Sequence, residues 1–177
     1  MSSEYLRDSA MSALILGFFA STWFGWAQER PPASWRLPLV GGAVVSLLVA
    51  LAGGGLAWQN WSDPSALDEP GAMGRFGIIV GIEFGAAALG AGLLALTGRS
   101  AYMAPWICLV VGVHFWPMAP LLEDPSLYLL GAVLVVIALG ALVIARRNSL
   151  PLSAVVGAGA GSALLVSAAG AALRALF

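Results

Sequence analysis

The chain has 177 residues, of which 60% are hydrophobic and 10% are charged, and its net charge is −1. Soluble domains carry about 25% charged residues, so this composition predicts a surface that faces lipid rather than water. The net charge excludes the basic surface of a nucleic-acid-binding protein. A single cysteine and a single histidine argue against an intrachain disulfide, a metal site or any other cofactor site.

Six apolar segments are long enough to cross a membrane, which takes about 20 helical residues. In chain order they lie at about 9–27, 37–58, 75–97, 101–122, 127–145 and 152–176. Most of the connections are short, so neighbouring segments must run antiparallel. We predict an all-α polytopic membrane protein, with residues 1–177 forming a single transmembrane domain of six helices.

The distribution of arginine predicts the orientation of this bundle. The loops after helices 1, 3 and 5 carry Arg30, Arg36, Arg99, Arg146 and Arg147. The side that holds both termini carries only Arg7, Arg75 and Arg174. Because short cytoplasmic loops are enriched in basic residues, we expect both termini to lie outside the cytoplasm.

Glycine is concentrated in three of the predicted helices. Gly77, Gly81 and Gly85 form a doubled G-x-x-x-G in helix 3, and helix 6 contains a glycine–alanine run at 157–161. Such small residues favour close helix packing, with a glycine-lined permeation path as the alternative. The three consecutive glycines at 53–55 predict a break or kink in helix 2, since each weakens a helix by about 1 kcal/mol.

The one acid and the one histidine inside the predicted spans are Glu83 and His114. A charge at this depth costs at least about 2.5–3.5 kcal/mol, so Glu83 should stay protonated or face the bundle interior or a cavity. Glu83 lies sixteen residues before Arg99, and His114 lies fifteen residues after it. At 1.5 Å per residue both are about 23 Å from this turn, so the two side chains share one depth. The spacing predicts a contact if both helices turn these faces toward each other.

Two interpretations of the pair stay open. A carboxyl and an imidazole can bind a ligand or pass a proton, or they can form a hydrogen bond that locks two helices together.

Pro117 removes a backbone hydrogen bond just beyond His114, which predicts a bend and a pocket in the outer half of the bundle, with an ordinary proline kink as the alternative. Trp116, Pro117, Met118 and Thr22 are the candidate lining residues. Haem is not predicted, because His114 and Met118 lie four residues apart on one helix and cannot bind opposite faces of one iron.

Residues 111–119 read V-G-V-H-F-W-P-M-A. This segment resembles a V-G-x-H-F-x-P-x-A stretch in small uncharacterised bacterial integral membrane proteins. The resemblance covers nine residues and implies the bacterial inner membrane, without implying an activity.

The leading hypothesis is a small bacterial inner-membrane protein that transports or binds a small solute at Glu83 and His114, with or without a proton. The alternative is a non-catalytic membrane subunit or assembly factor that packs on a second copy or a membrane partner through its glycine-rich helix faces. A membrane enzyme acting on lipids is the third hypothesis. It is disfavoured because Ser21, Thr22, Ser46 and Ser162 form no recognisable catalytic set with the one acid and one histidine inside the spans.

Overall fold

The computed structural model describes residues 5–177. Within them lie six long helices and no strand: α1 (Leu6–Ala27), α2 (Arg36–Gln59), α3 (Ala72–Leu96), α4 (Met103–Leu121), α5 (Ser126–Asn148) and α6 (Leu152–Leu176). Single turns of 3-10 helix at Ala33–Trp35, Ala66–Asp68 and Ser100–Tyr102 lie in the connections. All six helices are long and apolar enough to cross a membrane. The predicted all-α bundle of six helices is confirmed.

Helix ends differ from the predicted ones by up to three residues. α5, for example, continues to Asn148, because Arg146 and Arg147 remain in its last turn. Positive side chains at this position are favourable beside the unpaired carbonyl groups of a helix C-terminus. The helix stops where Ser149 adopts a left-handed conformation, with φ at 53°.

The predicted break in helix 2 is wrong, since α2 is continuous from Arg36 to Gln59. Gly53 has a different role, which is to let two backbones approach. A Cβ atom at Gly53 would lie 2.6 Å from the backbone nitrogen of Leu14 and 2.9 Å from the carbonyl oxygen of Ala10. The cost of glycine in the helix is therefore offset by tight packing of α2 on α1.

α6 lies at the centre of the bundle and packs on α1, α2, α4 and α5. Its glycines allow this close approach, as the packing interpretation expects. A Cβ atom at Gly157 would lie 2.6 Å from the carbonyl oxygen of Trp23, and one at Gly161 would lie 2.9 Å from the Phe24 ring. Leu164 of α6 and Leu134 of α5 are among the largest fully buried side chains.

α3 lies at the periphery, and among residues 5–177 its only extensive packing with another long helix is with α4. The indole N–H of Trp106 on α4 donates a hydrogen bond to the carbonyl oxygen of Ala86 at 3.1 Å. Gly90 makes room for this indole, because a Cβ atom there would collide with the ring. No packing of comparable extent joins α3 to α1 within the described chain, so a gap runs between these two helices.

Candidate functional site

The structure brings Glu83 and His114 together inside the bundle. Glu83 lies eleven residues after the start of α3 and thirteen before its end. Its Oε2 atom is 3.5 Å from Nε2 of His114, and the two side chains are 14% and 13% exposed. The contact predicted by counting from Arg99 is therefore present, because both helices turn the relevant face toward each other.

The backbone of α4 determines which imidazole nitrogen carries hydrogen. Nδ1 of His114 is 2.7 Å from the carbonyl oxygen of Val111, and a carbonyl oxygen only accepts hydrogen bonds, so Nδ1 is the donor. When the pair holds one proton besides that on Nδ1, Nε2 faces Glu83 in one of two states. A neutral imidazole accepts a hydrogen bond from a protonated carboxyl group, and an imidazolium donates one to a carboxylate. In both states the two side chains share one proton, and the net charge of the pair is zero.

The distance between the two groups is informative about their strength of interaction. Ordinary N–H···O hydrogen bonds measure about 2.7–3.2 Å, so a separation of 3.5 Å indicates a loose contact. A loose contact allows either group to turn toward a third molecule. The described residues contain no group of three or more His, Cys, Asp and Glu side chains that could hold a metal ion.

A cavity of about 330 Å³ lies beside the pair. Side chains of α1, α3 and α4 form most of its wall, and Leu127 of α5 and Leu164 of α6 complete it. Apart from Ser12, Glu83 and His114, all its lining side chains are aliphatic, aromatic or methionine. This volume falls within the range of about 300–1,000 Å³ typical of small-molecule sites, which are mostly apolar with a few polar groups.

Of the four candidate lining residues, Met118 lines this cavity, whereas Trp116, Pro117 and Thr22 do not. Met118 follows His114 by four residues and so lies on the same helix face. Trp116 and Pro117 lie on other faces of α4, and Trp116 is 42% exposed with its ring beside Gly131 of α5. Thr22 is exposed, and its hydroxyl donates to the carbonyl oxygen of Phe19 at 2.8 Å.

Several lining residues escaped prediction, although their spacing was visible in the sequence. Phe76, Val80 and Glu83 follow one another at four and three residues, which places them on one face of α3. The same spacing on α1 connects Ser12 to Phe19 through Ile15. Nothing in the local sequence of α1 indicates that this face lies opposite Glu83.

A second cavity of about 510 Å³ lies between α3, α4 and α5, toward the end of the bundle that contains Arg99. Arg99 and Tyr102 line it, together with apolar side chains such as Leu109 and Leu142. No acid and no histidine is among its lining residues.

The fold and site are consistent with a multi-pass membrane protein whose helix bundle contains an acid–imidazole pair beside a mostly apolar cavity. No family model, curated protein or solved structure matches the chain. The functional interpretation therefore depends on the geometry of this cavity.

Proposed function

We propose that this protein binds and transports a small solute at Glu83 and His114 in the bacterial inner membrane, and that a proton moves with the solute. The observation that carries the proposal is the loose contact between two mostly buried ionisable side chains at the wall of a cavity. Ionisable groups inside a membrane are costly, so a site of this kind is a functional hypothesis by default.

The shared proton supplies a mechanism for coupling. A solute that accepts a hydrogen bond from Glu83 stabilises the protonated carboxyl group, and one that accepts from Nε2 of His114 stabilises the imidazolium. The proton is taken up from one side together with the solute and leaves with the solute on the other side, so the empty pair consists of a carboxylate and a neutral imidazole. A solute shifts the equilibrium between two protonation states of the pair only by the difference between its affinities for those states.

Ion pairing at the bundle ends supports an orientation with both termini outside the cytoplasm. On the terminal side, Arg7 pairs with Asp68 at 3.0 Å and Arg174 pairs with Asp124 at 2.9 Å. On the opposite side, the structure of residues 5–177 shows no ion pair for Arg36, Arg99, Arg146 or Arg147. Arg75 on the terminal side has no ion pair either, so most, but not all, of the unpaired positive charge of the described residues lies on the side that the basic-residue rule assigns to the cytoplasm.

Proton flux into proteoliposomes tests the proposed function. The purified protein is reconstituted in total bacterial lipid extract, a potassium diffusion potential is imposed, and an internal dye reports the pH. We expect wild-type proteoliposomes to acidify faster than empty liposomes, and Glu83→Gln to abolish the difference. Glu69→Gln is the matched control, because it removes an exposed acid of the loop before α3.

The proposal is wrong if wild-type flux equals that of empty liposomes, or if Glu83→Gln and His114→Ala both keep wild-type flux. Correct insertion of each variant is checked by its elution as one species in detergent and by its helix content.

The glycine face of α3 favours a second candidate function, that of a non-catalytic subunit or assembly factor. Gly77, Gly81 and Gly85 are exposed, and a Cβ atom at any of them would meet nothing within 4 Å. The close packing expected of this motif is thus absent within the described chain, which leaves the face free for a helix of another chain.

Self-association in lipid nanodiscs tests this candidate. Gly81→Leu should prevent crosslinking between copies without affecting the monomer, since the site has no neighbour to displace. Gly41→Leu on α2 is the matched control, because that glycine is also exposed and without a neighbour within 4 Å. Equal crosslinking of both variants and the wild type would argue against an interface at α3.

A further inference from the structure

The cavity beside Glu83 opens sideways, toward the surface that a bundle in a membrane presents to lipid. Its wall includes Ile15 and Phe19 of α1 and Phe84 of α3. These side chains are 42%, 41% and 59% exposed, although their neighbours deeper in the wall are buried. Phe84 lies at the middle of its helix, so the opening faces the hydrocarbon region rather than either aqueous side.

The loop before α3 bridges the gap between α1 and α3 at the terminal end. Arg7 of α1 pairs with Asp68 of this loop, and the Asp8 carboxylate accepts a hydrogen bond from the backbone N–H of Ala66 at 2.8 Å. Arg7 also donates to the carbonyl oxygen of Trp61 at 3.0 Å. The loop is thus held across the terminal end of the gap. The remaining route into the cavity is the lateral opening, which is bordered by the exposed side chains of Ile15, Phe19 and Phe84.

The wall of the cavity selects for a lipophilic molecule. A water-soluble solute would lose its hydration there and find polar partners only at Ser12, Glu83 and His114. The pair has no net charge, so a charged head group would lie uncompensated in the low-dielectric interior. A molecule with an apolar body and a neutral oxygen meets both conditions.

We infer that the solute is a membrane-dissolved amphiphile, with an apolar chain or ring system and a hydroxyl head, that enters between α1 and α3. This inference rests on the proposed function, since it names the substrate class of the same site. The head group forms hydrogen bonds with Glu83 and Nε2 of His114, and the apolar part lies against Phe76 and Val80. The carboxyl–imidazole pair offers one donor and one acceptor in either protonation state, which suits a neutral oxygen.

Photocrosslinking tests the inference in nanodiscs of total bacterial lipid. The probe is a sixteen-carbon alcohol with a diazirine near the hydroxyl, and the control probe is the same chain without the hydroxyl. After irradiation, peptide mass spectrometry locates the label. We expect the alcohol probe to label residues within 12–19, 76–84 and 111–118, and the hydrocarbon probe not to label them. Unlabelled hexadecanol should compete with the alcohol probe and reduce this labelling.

Variants assign this labelling to the cavity. Val80→Trp fills it from α3 and should abolish the labelling, and Ser12→Phe does the same from α1 if the first variant fails to fold. Ile78→Trp is the matched control, because this residue is 64% exposed on α3 and does not line the cavity. Glu83→Leu should weaken the competition by hexadecanol about tenfold through loss of one buried hydrogen bond.

The inference is overturned if both probes label these segments equally, or if neither cavity-filling variant reduces the label. Labelling confined to the lipid-facing side of α3 around Ile78 and Ile82 would overturn it as well. The inference and the proposed function can each be wrong without the other. If labelling fails while proton flux still requires Glu83, this inference is wrong and the proposed function stands; if labelling succeeds while Glu83→Gln keeps full flux, the site binds an amphiphile without moving a proton.

Discussion

A double-mutant cycle on Glu83 and His114 measures how strongly the two side chains interact, and so separates a loose contact from a strong buried ion pair. Glu83→Met replaces the carboxyl by an apolar group of similar length, and His114→Leu replaces the imidazole. Each single variant leaves one mostly buried polar group without its partner, and the double variant removes both.

The structure sets the expected magnitude. Side-chain hydrogen bonds inside membrane proteins average about 0.6 kcal/mol and reach at most about 1.7 kcal/mol. The 3.5 Å separation exceeds that of an ordinary hydrogen bond, so the interaction energy should lie at or below the average. We expect each single variant to lower the free energy of unfolding by about 1 kcal/mol, the low end for an unsatisfied buried group. The double variant should then cost about 0.6 kcal/mol less than the sum of the two.

The assay is reversible unfolding in mixed micelles, followed by tryptophan fluorescence and helix content for the wild type and three variants. An interaction energy of about 3 kcal/mol or more would refute the reasoning, because it would indicate a strong buried ion pair, whose breaking costs about 3–5 kcal/mol. Zero interaction energy would refute it from the other side, since it would show that the two groups do not meet.

Four further substitutions test the packing that positions the site. Gly157→Ala should lower stability by up to about 2 kcal/mol in the same unfolding assay, because its Cβ would lie 2.6 Å from a carbonyl oxygen of α1; Gly140→Ala, with no neighbour within 4 Å, should raise it by up to about 1 kcal/mol. Trp106→Phe should lower the free energy of unfolding by about 0.6 kcal/mol, because its hydrogen bond to α3 is lost. The measurement is a lower thermal midpoint in micelles. Arg174→Gln should cost at most about 1 kcal/mol, and the loss should shrink at high salt, because the pair with Asp124 is partly exposed; a loss that salt leaves unchanged would contradict this.

The depth of Glu83 and His114 could be predicted because a helix rises by a constant amount per residue. Counting from Arg99 therefore placed both side chains at one height, and the structure shows the contact. Their rotation about the helix axes was a condition of that prediction. In the structure the two faces meet, and the indole N–H of Trp106 on α4 donates to the carbonyl oxygen of Ala86, three residues after Glu83.

The cavity itself was only partly predictable. The prolines of α4 drew attention to residues next to His114 in sequence, and two of those residues, Trp116 and Pro117, lie on other faces of the helix. The remaining wall comes from α1, which is distant in sequence, and its contribution at Ser12 and Phe19 has no local signal. Proximity in sequence is a poor guide here because residues four apart share a helix face and adjacent residues do not.

The sequence by itself determined that six helices form and where each begins and ends within a few residues, because hydrophobic length and backbone hydrogen bonding depend on local composition. Only the tertiary structure decided that α6 lies at the centre, that α4 is the one long helix of the described residues on which α3 packs extensively, and that a gap opens from Glu83 to the lipid-facing surface. The reason is physical: lipid tails are as apolar as the side chains of the helices, so hydropathy does not encode which helix faces meet. Close contacts at glycines such as Gly53 and Gly157 make that choice, and they become visible only when two backbones are placed side by side.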